Sequence, residues 1–447
     1  MSVSDWLSLR RSQTRLSVQP LSWNENQEWS LVEGALRHES RGFFSICGVG
    51  IKAEGTSLHG CQFPMIDQPE IGMLAFLIHM TDEGPRWLLQ AKAEPGNVNL
   101  VQVGPTVQAT RSNYMRLHGG SPTRYLEEVT VEGHLLLTNI DQSEQGSRFL
   151  NKYNSNVVRV LDRPVDIASD NWRWFGVADI KQALVSDFAV NTDARSVMVS
   201  TDWSLLSDCG TPFLSDRSDE SQCVAHLDAD HCTDLRRHLR TSYQQDVSDK
   251  TQHLETIKAV SERTSLCLKR IPLQSMTGWN IEENGIRSRH FDFEVGNYGV
   301  QASDRECETW CQPLIRGLKS HRSILILGDQ DGVLKAFFRF SEEPGFENSI
   351  QLGPSFQSDA LNVDWAQTWV NEQESSPLIS VNQSDEGGRF MDSIMRYEVH
   401  MLRDSVSEEI DRQGLWLSLA EIQEYCSTSG MMTNEARSLV SLLLAFA

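Results

Sequence analysis

The chain contains a diverged copy of itself, and this repetition limits its possible folds more than any single motif does. Glu94-Pro95-Gly96, Asn99, Gln102, Gly104-Pro105 and Gln108 recur as Glu343-Pro344-Gly345, Asn348, Gln351, Gly353-Pro354 and Gln357, at a constant offset of 249. Eight of these fifteen positions are identical, where average composition gives about one. Further matches lie on both sides. Pro64 and Ile66 pair with Pro313 and Ile315, and the segment Gln142 to Phe149 pairs with Gln383 to Phe390. Asp193-Ala194-Arg195-Ser196 pairs with Glu435-Ala436-Arg437-Ser438. A chain of 447 residues exceeds one ordinary core, so two related units of roughly 200 residues each are expected.

Each unit reads as α+β. Phe43 to Ile46, Val49 to Ala53, Met73 to Ile78, Trp87 to Leu89 and the run Val98, Leu100, Val101, Val103 have the apolar character of strands. Val177, Ile180 and Ala183-Leu184 stand at helical spacing, so each β-rich body ends in a helix pair. The expected division is an N-terminal arm (1–25), a first repeat (26–200), a linker (201–265) and a second repeat (266–447). Ser4-Asp5 is placed to cap a short helix in the arm. Leu239, Tyr243, Val247, Leu254, Ile257 and Val260 predict one amphipathic helix in the linker.

A formal charge of −21 argues against a nucleic-acid partner, which needs a broad basic face. It leaves room for a small phosphorylated ligand held by a few local cations. No apolar run approaches the roughly 18 residues that span a bilayer, and the N-terminus lacks a secretory apolar segment. Nine scattered cysteines read as reduced thiols, so a cytoplasmic protein is expected. Cys209, Cys223, His226, His231 and Cys232 fit no common zinc spacing. No metal is expected.

The stretch Trp87 to Gly120 carries the chemistry. Beyond Gly104-Pro105, the side chains of Thr106, Gln108, Thr110, Arg111, Ser112, Asn113 and Tyr114 are too polar for an ordinary core. Each unpaired buried group would cost about 1–3 kcal/mol. The stretch therefore reads as a recognition surface, with Lys92, Arg111 and Arg116 suited to phosphate. Lys92 and Glu94 alternate on a strand and share a face, so a carboxylate base stands beside a cation. Tyr114 and His118 are alternative bases. The second copy replaces Arg111 by Ala360 and Tyr114 by Val363, so only the first keeps this chemistry.

QAKAEPGNVNLVQVGPTVQATRSNY followed by MRLHGG, together with DQPEIG, QSEQGSRFL and NTDARSV, resembles the NDP-hexose 2,3-dehydratases over nearly the whole chain. Two positions depart from the family pattern: Gly104 stands where serine is usual, and Met115 where threonine is. The resemblance implies two Nudix-like domains joined by a helical linker, a homodimer, and no metal or redox cofactor. It also implies deoxysugar biosynthesis upstream of a 3-ketoreductase, on a thymidine-linked 4-keto-6-deoxyglucose. Carried over residue by residue, it assigns substrate binding to Gln68, Glu70, Asn97, Gln102, Thr106, Gln108, Thr110, Arg111, Ser112, Asn113, Arg116, Glu144 and Arg148. Catalysis falls to Lys92, Glu94, Tyr114 and His118. The competing readings are a catalytically silent sugar-nucleotide binder and a metal-dependent pyrophosphohydrolase.

Overall fold

A computed structural model describes residues 1–26, 28–54, 58–111, 122–167, 169–207, 209–213, 229–247, 250–263, 266–303, 308–346, 350–358, 376–402 and 408–447. The protein is mixed α+β and strand-rich, with four sheets among the described residues.

One seven-stranded sheet is centred on the hairpin Gly72–Thr81 and Gly84–Ala93. Tyr153–Leu161 pairs in parallel with the first of these strands. Val101–Gly104 and Trp172–Gly176 both pair antiparallel with the second. The second seven-stranded sheet has the same order, centred on His321–Gln330 and Val333–Ser341. The two six-stranded sheets also correspond strand for strand. These central strands are near-continuous apolar runs because both of their faces are covered.

The halves are interwoven. Leu16–Pro20, in the arm, pairs antiparallel with Phe293–Ala302 of the second half, Leu16 opposite Ala302. Cys267–Ile271, just after the linker, pairs with Ser45–Lys52 of the first half, Cys267 opposite Lys52. Each half thus lends a strand to the other's six-stranded sheet. One core cluster holds residues of both seven-stranded sheets, among them Phe76, Trp87, Leu325 and Phe338, with the helices Thr192–Val199 and Asn434–Leu443 between them. A second cluster joins the six-stranded sheets, where Phe149 and Phe390 meet edge to face at 5.7 Å.

Three local expectations change. The arm helix is Val3–Gln13, capped by Ser2 rather than Ser4, with Asp5 completing the capping box. The linker forms two helices, Ala229–Tyr243 and Lys250–Ser261. The intervening Asp246 is of a type that favours turns and caps over helix interiors. The strand after Pro95-Gly96 begins only at Val101, because Leu100 takes a left-handed φ of 72° to close the turn. Among the described residues no helix is long and apolar enough to cross a membrane.

Candidate active site

The strand Gly84–Ala93 alternates its side chains, so Gln90 and Lys92 point to one face. There they help line an open cavity of about 390 Å3. The opposite wall is Thr106 and Gln108, on and beside the short strand Val107–Ala109. The rim is assembled from distant parts of the chain: Arg10 and Arg15 of the arm, Arg124, Asp170 to Trp172, and Ala302 of the second half. Trp172 is fixed by its indole N–H donating to the Thr106 carbonyl at 2.9 Å. Arg10 approaches Asp170 at 4.0 Å. Lys92, Arg10, Arg15 and Arg124 together put four cations around one cavity in a chain of strongly negative charge. That arrangement suits an anionic ligand with several oxygens, as a diphosphate is.

Gln108 links the cavity to the interior. Its backbone carbonyl accepts from Lys92 Nζ at 3.2 Å, and its side-chain amide donates to Glu94 Oε1 at 3.2 Å. Its oxygen accepts from Asn191 at 3.0 Å. Glu94 therefore stands one residue behind the cavity wall. It is 3% exposed, and its Oε2 has no hydrogen-bond partner among the described residues.

Behind Glu94 the two halves clasp each other. The Gly96 N–H donates to the Gly387 carbonyl at 2.8 Å, and the Gly345 N–H donates to the Gly146 carbonyl at 2.7 Å. A Cβ at Gly96 would fall on the Phe390 carbonyl oxygen, and one at Gly345 on that of Phe149. Only glycine permits either approach. Gln102 donates to Ser384 Oγ at 2.7 Å, and Ser143 Oγ donates to the equivalent Gln351 at 2.8 Å. Arg148 lies over Phe293 and Arg389 over Phe44, each at 4.2 Å.

Charges are concentrated in this clasp. Glu144 accepts from Asn154 at 2.7 Å and from Asn434 at 3.1 Å. Burial pushes its carboxyl upward against the pull of Arg437 and Lys152. Asp193 is pushed well above the carboxylate range, by burial and then by Glu386, Glu144 and Glu94. Glu386 rises to about 7, chiefly by burial. Burial likewise lowers Lys152, whose Nζ donates to the Glu70 carbonyl.

The site residues expected from sequence are thus distributed. Lys92, Thr106 and Gln108 line the cavity. Glu94 is behind it, and Arg111 is exposed at the end of the described stretch with half-buried Thr110 before it. Gln68, Asn97, Gln102, Glu144 and Arg148 lie in or against the clasp; Gln68 accepts from Arg389 at 3.1 Å and donates to Glu70 at 3.3 Å. Asn97 Nδ2 donates to the Leu100 carbonyl at 3.2 Å, closing the turn. Ser112, Asn113, Tyr114, Arg116 and His118 lie outside the described residues, as do Cys223 and His226. Sequence reasoning missed Arg10, Arg15, Arg124 and Trp172. The basic run Arg10-Arg11 with Arg15 in an otherwise acidic chain was the available signal.

The family model described as NDP-hexose 2,3-dehydratase matches residues 1–201 and 250–443. A dTDP-4-dehydro-6-deoxy-alpha-D-glucopyranose 2,3-dehydratase of Streptomyces violaceoruber is 30% identical over 98% of this chain and 95% of its own. Proteins of the same name from Saccharopolyspora spinosa and Amycolatopsis orientalis are 27% and 28% identical, over 98% and 100% of this chain and 90% of theirs.

Proposed function

The chain belongs to the NDP-hexose 2,3-dehydratase family, and from that premise we propose that it removes water across C2–C3 of a nucleoside-diphosphate 4-keto-6-deoxyhexose. The sugar nucleotide we infer is dTDP-4-keto-6-deoxyglucose, the sugar nucleotide for which the similar proteins are named. The observation that carries this reading is the cavity in which Lys92, Thr106 and Gln108 meet three arginines.

In such a sugar the C4 ketone acidifies the C3 proton, and the C2 hydroxyl is β to that ketone. A base takes the C3 proton, and the C3–H electrons form an enolate with its charge on the C4 oxygen. Collapse of the enolate expels the C2 hydroxyl, which leaves as water after protonation. The C2=C3 enol then tautomerises to a 3,4-diketo-2,6-dideoxy sugar. In this scheme the Lys92 ammonium stabilises the enolate, and Arg10, Arg15 and Arg124 hold the diphosphate. The base is Glu94, reached through movement of Gln108, or else Tyr114 or His118. No redox change occurs, so the chemistry calls for neither nicotinamide nor metal. We assign the enzyme to the hydro-lyases, working in the cytoplasm as a homodimer of Nudix-like repeats and feeding a 3-ketoreductase.

Mass spectrometry of chelator-treated protein incubated with this sugar nucleotide tests the reading. Loss of water, with the product trapped by reduction, is expected. Release of a nucleoside monophosphate would instead identify a pyrophosphohydrolase, and unchanged but bound substrate a silent binder.

A further inference from the structure

The two clasps share a backbone but not their charges. Around Glu343, the positions matching Lys92, Lys152 and Glu386 are Ser341, Ser393 and Gln145. Those matching Glu94, Glu144 and Asp193 stay acidic, as Glu343, Asp385 and Glu435. Three charged groups are therefore found only at the clasp beside the cavity. Two are lysines of the first half. The third, Glu386, comes from the second.

Its loop is held there by the bond from Gly96 to Gly387. A Cβ built on Gly388 would lie 3.1 Å from Glu386 Oε1 and 3.5 Å from Glu94 Oε1, so both carboxylates border the same small space. Glu94 Oε2 and Asp193 Oδ1 are buried without hydrogen-bond partners among the described residues. Such oxygens are costly to bury as anions unless a proton or a cation offsets them. The charged groups facing Glu386 are Glu94, Glu144, Lys152, Arg389 and Asp193, and Lys92 joins them around Asp193.

We propose that Glu386 is a positioning residue for the first half's reaction: carried across by the second half, it sets how many protons the Glu144 and Asp193 carboxylates hold between them, beside Glu94. It thereby fixes the charge behind Lys92 and Gln108. The inference rests on the first half being the reacting one, and it gives the second half a catalytic reason to be retained.

Glu386→Gln removes one of several mutually repelling anions, so the remaining group ionises at lower pH. The acid limb of the kcat/KM profile is expected to move down by about one pH unit. KM changes less than twofold, on the order expected for a residue that does not line the cavity. Glu386→Asp restores the wild-type profile. An unmoved limb with uniformly reduced kcat would overturn the proposal.

A second measurement needs no substrate. A carboxyl whose folded pKa is raised favours folding below its unfolded pKa, and loses that contribution as pH rises through the folded value. Wild type therefore loses stability as pH passes about 7 for Glu386, and the Gln variant escapes this loss. At about pH 8.5 the variant should melt higher than wild type. Equal melting temperatures there would overturn the coupling whatever the protein turns over, so this failure is separable from failure of the dehydratase reading.

Discussion

In the proposed reaction, Lys92 is the residue on which the chemistry turns. It is 7% exposed, faces the cavity, and is anchored to the Gln108 carbonyl. Its counterpart in the other half, Ser341, holds no charge. Replacing Lys92 by Met keeps the stem that packs in the wall and removes the ammonium. Steady-state kinetics should show kcat/KM reduced by about 10²–10³-fold, the usual loss for one group stabilising a developing oxyanion. Calorimetric affinity for the nucleotide should change far less. A parallel loss of affinity would make Lys92 a phosphate ligand instead. The sequence places Lys92 on a strand beside Glu94, but the expected shared face is not found: the strand ends at Ala93, so Lys92 lines the cavity while Glu94 lies buried behind its wall. Glu386 was not legible in sequence. Its counterpart is an uncharged glutamine, and it meets Glu94 only because a loop nearly three hundred residues away folds onto the Pro-Gly turn.

At the level of elements, the repeated Glu-Pro-Gly turn is first a joint. Gly96 and Gly345 each lie where a methyl group would strike backbone of the other half. Gly345→Ala should cost about 1–3 kcal/mol through overpacking, seen as a lower melting temperature in a thermal scan. Gly96→Ala should cost a similar amount and also reduce turnover, because Glu94 and Glu386 flank that joint and not the other. Equal turnover in the two variants would separate the joint from the site. The same logic explains why Thr106 reads as a recognition residue yet is buried. Leu77 N–H donates to its hydroxyl at 3.1 Å, and the hydroxyl donates to the Leu88 carbonyl. Ser355 repeats the device, accepting from Ile326 N–H at 2.9 Å and donating to the Phe337 carbonyl. Polarity in sequence does not reveal whether backbone or ligand will satisfy it; the Thr106 hydroxyl is taken by backbone although the residue borders the cavity.

At the scale of the molecule, the repetition was legible and the interweaving was not. Matching motifs at a fixed offset mark two related stretches, and the paired sheets correspond strand for strand. The motifs do not show that Leu16–Pro20 and Cys267–Ile271 change places, because either strand could complete either equivalent sheet with similar hydrogen bonds. Beside this exchange, Arg10 and Arg15 of the arm and Ala302 of the second half meet at the rim of the first half's cavity. In the proposed reaction, one half provides the reacting wall. The other contributes a rim residue, a clasp and a carboxylate. The central claim is that this composite site eliminates water through an enol, and the tautomerisation step gives the most direct test. The reaction should be run in deuterium oxide, trapped by rapid reduction, and the product read by mass spectrometry and proton NMR. The account predicts loss of the C2 oxygen and entry of a single solvent deuterium at C2. Loss of water without deuterium at C2 would contradict it.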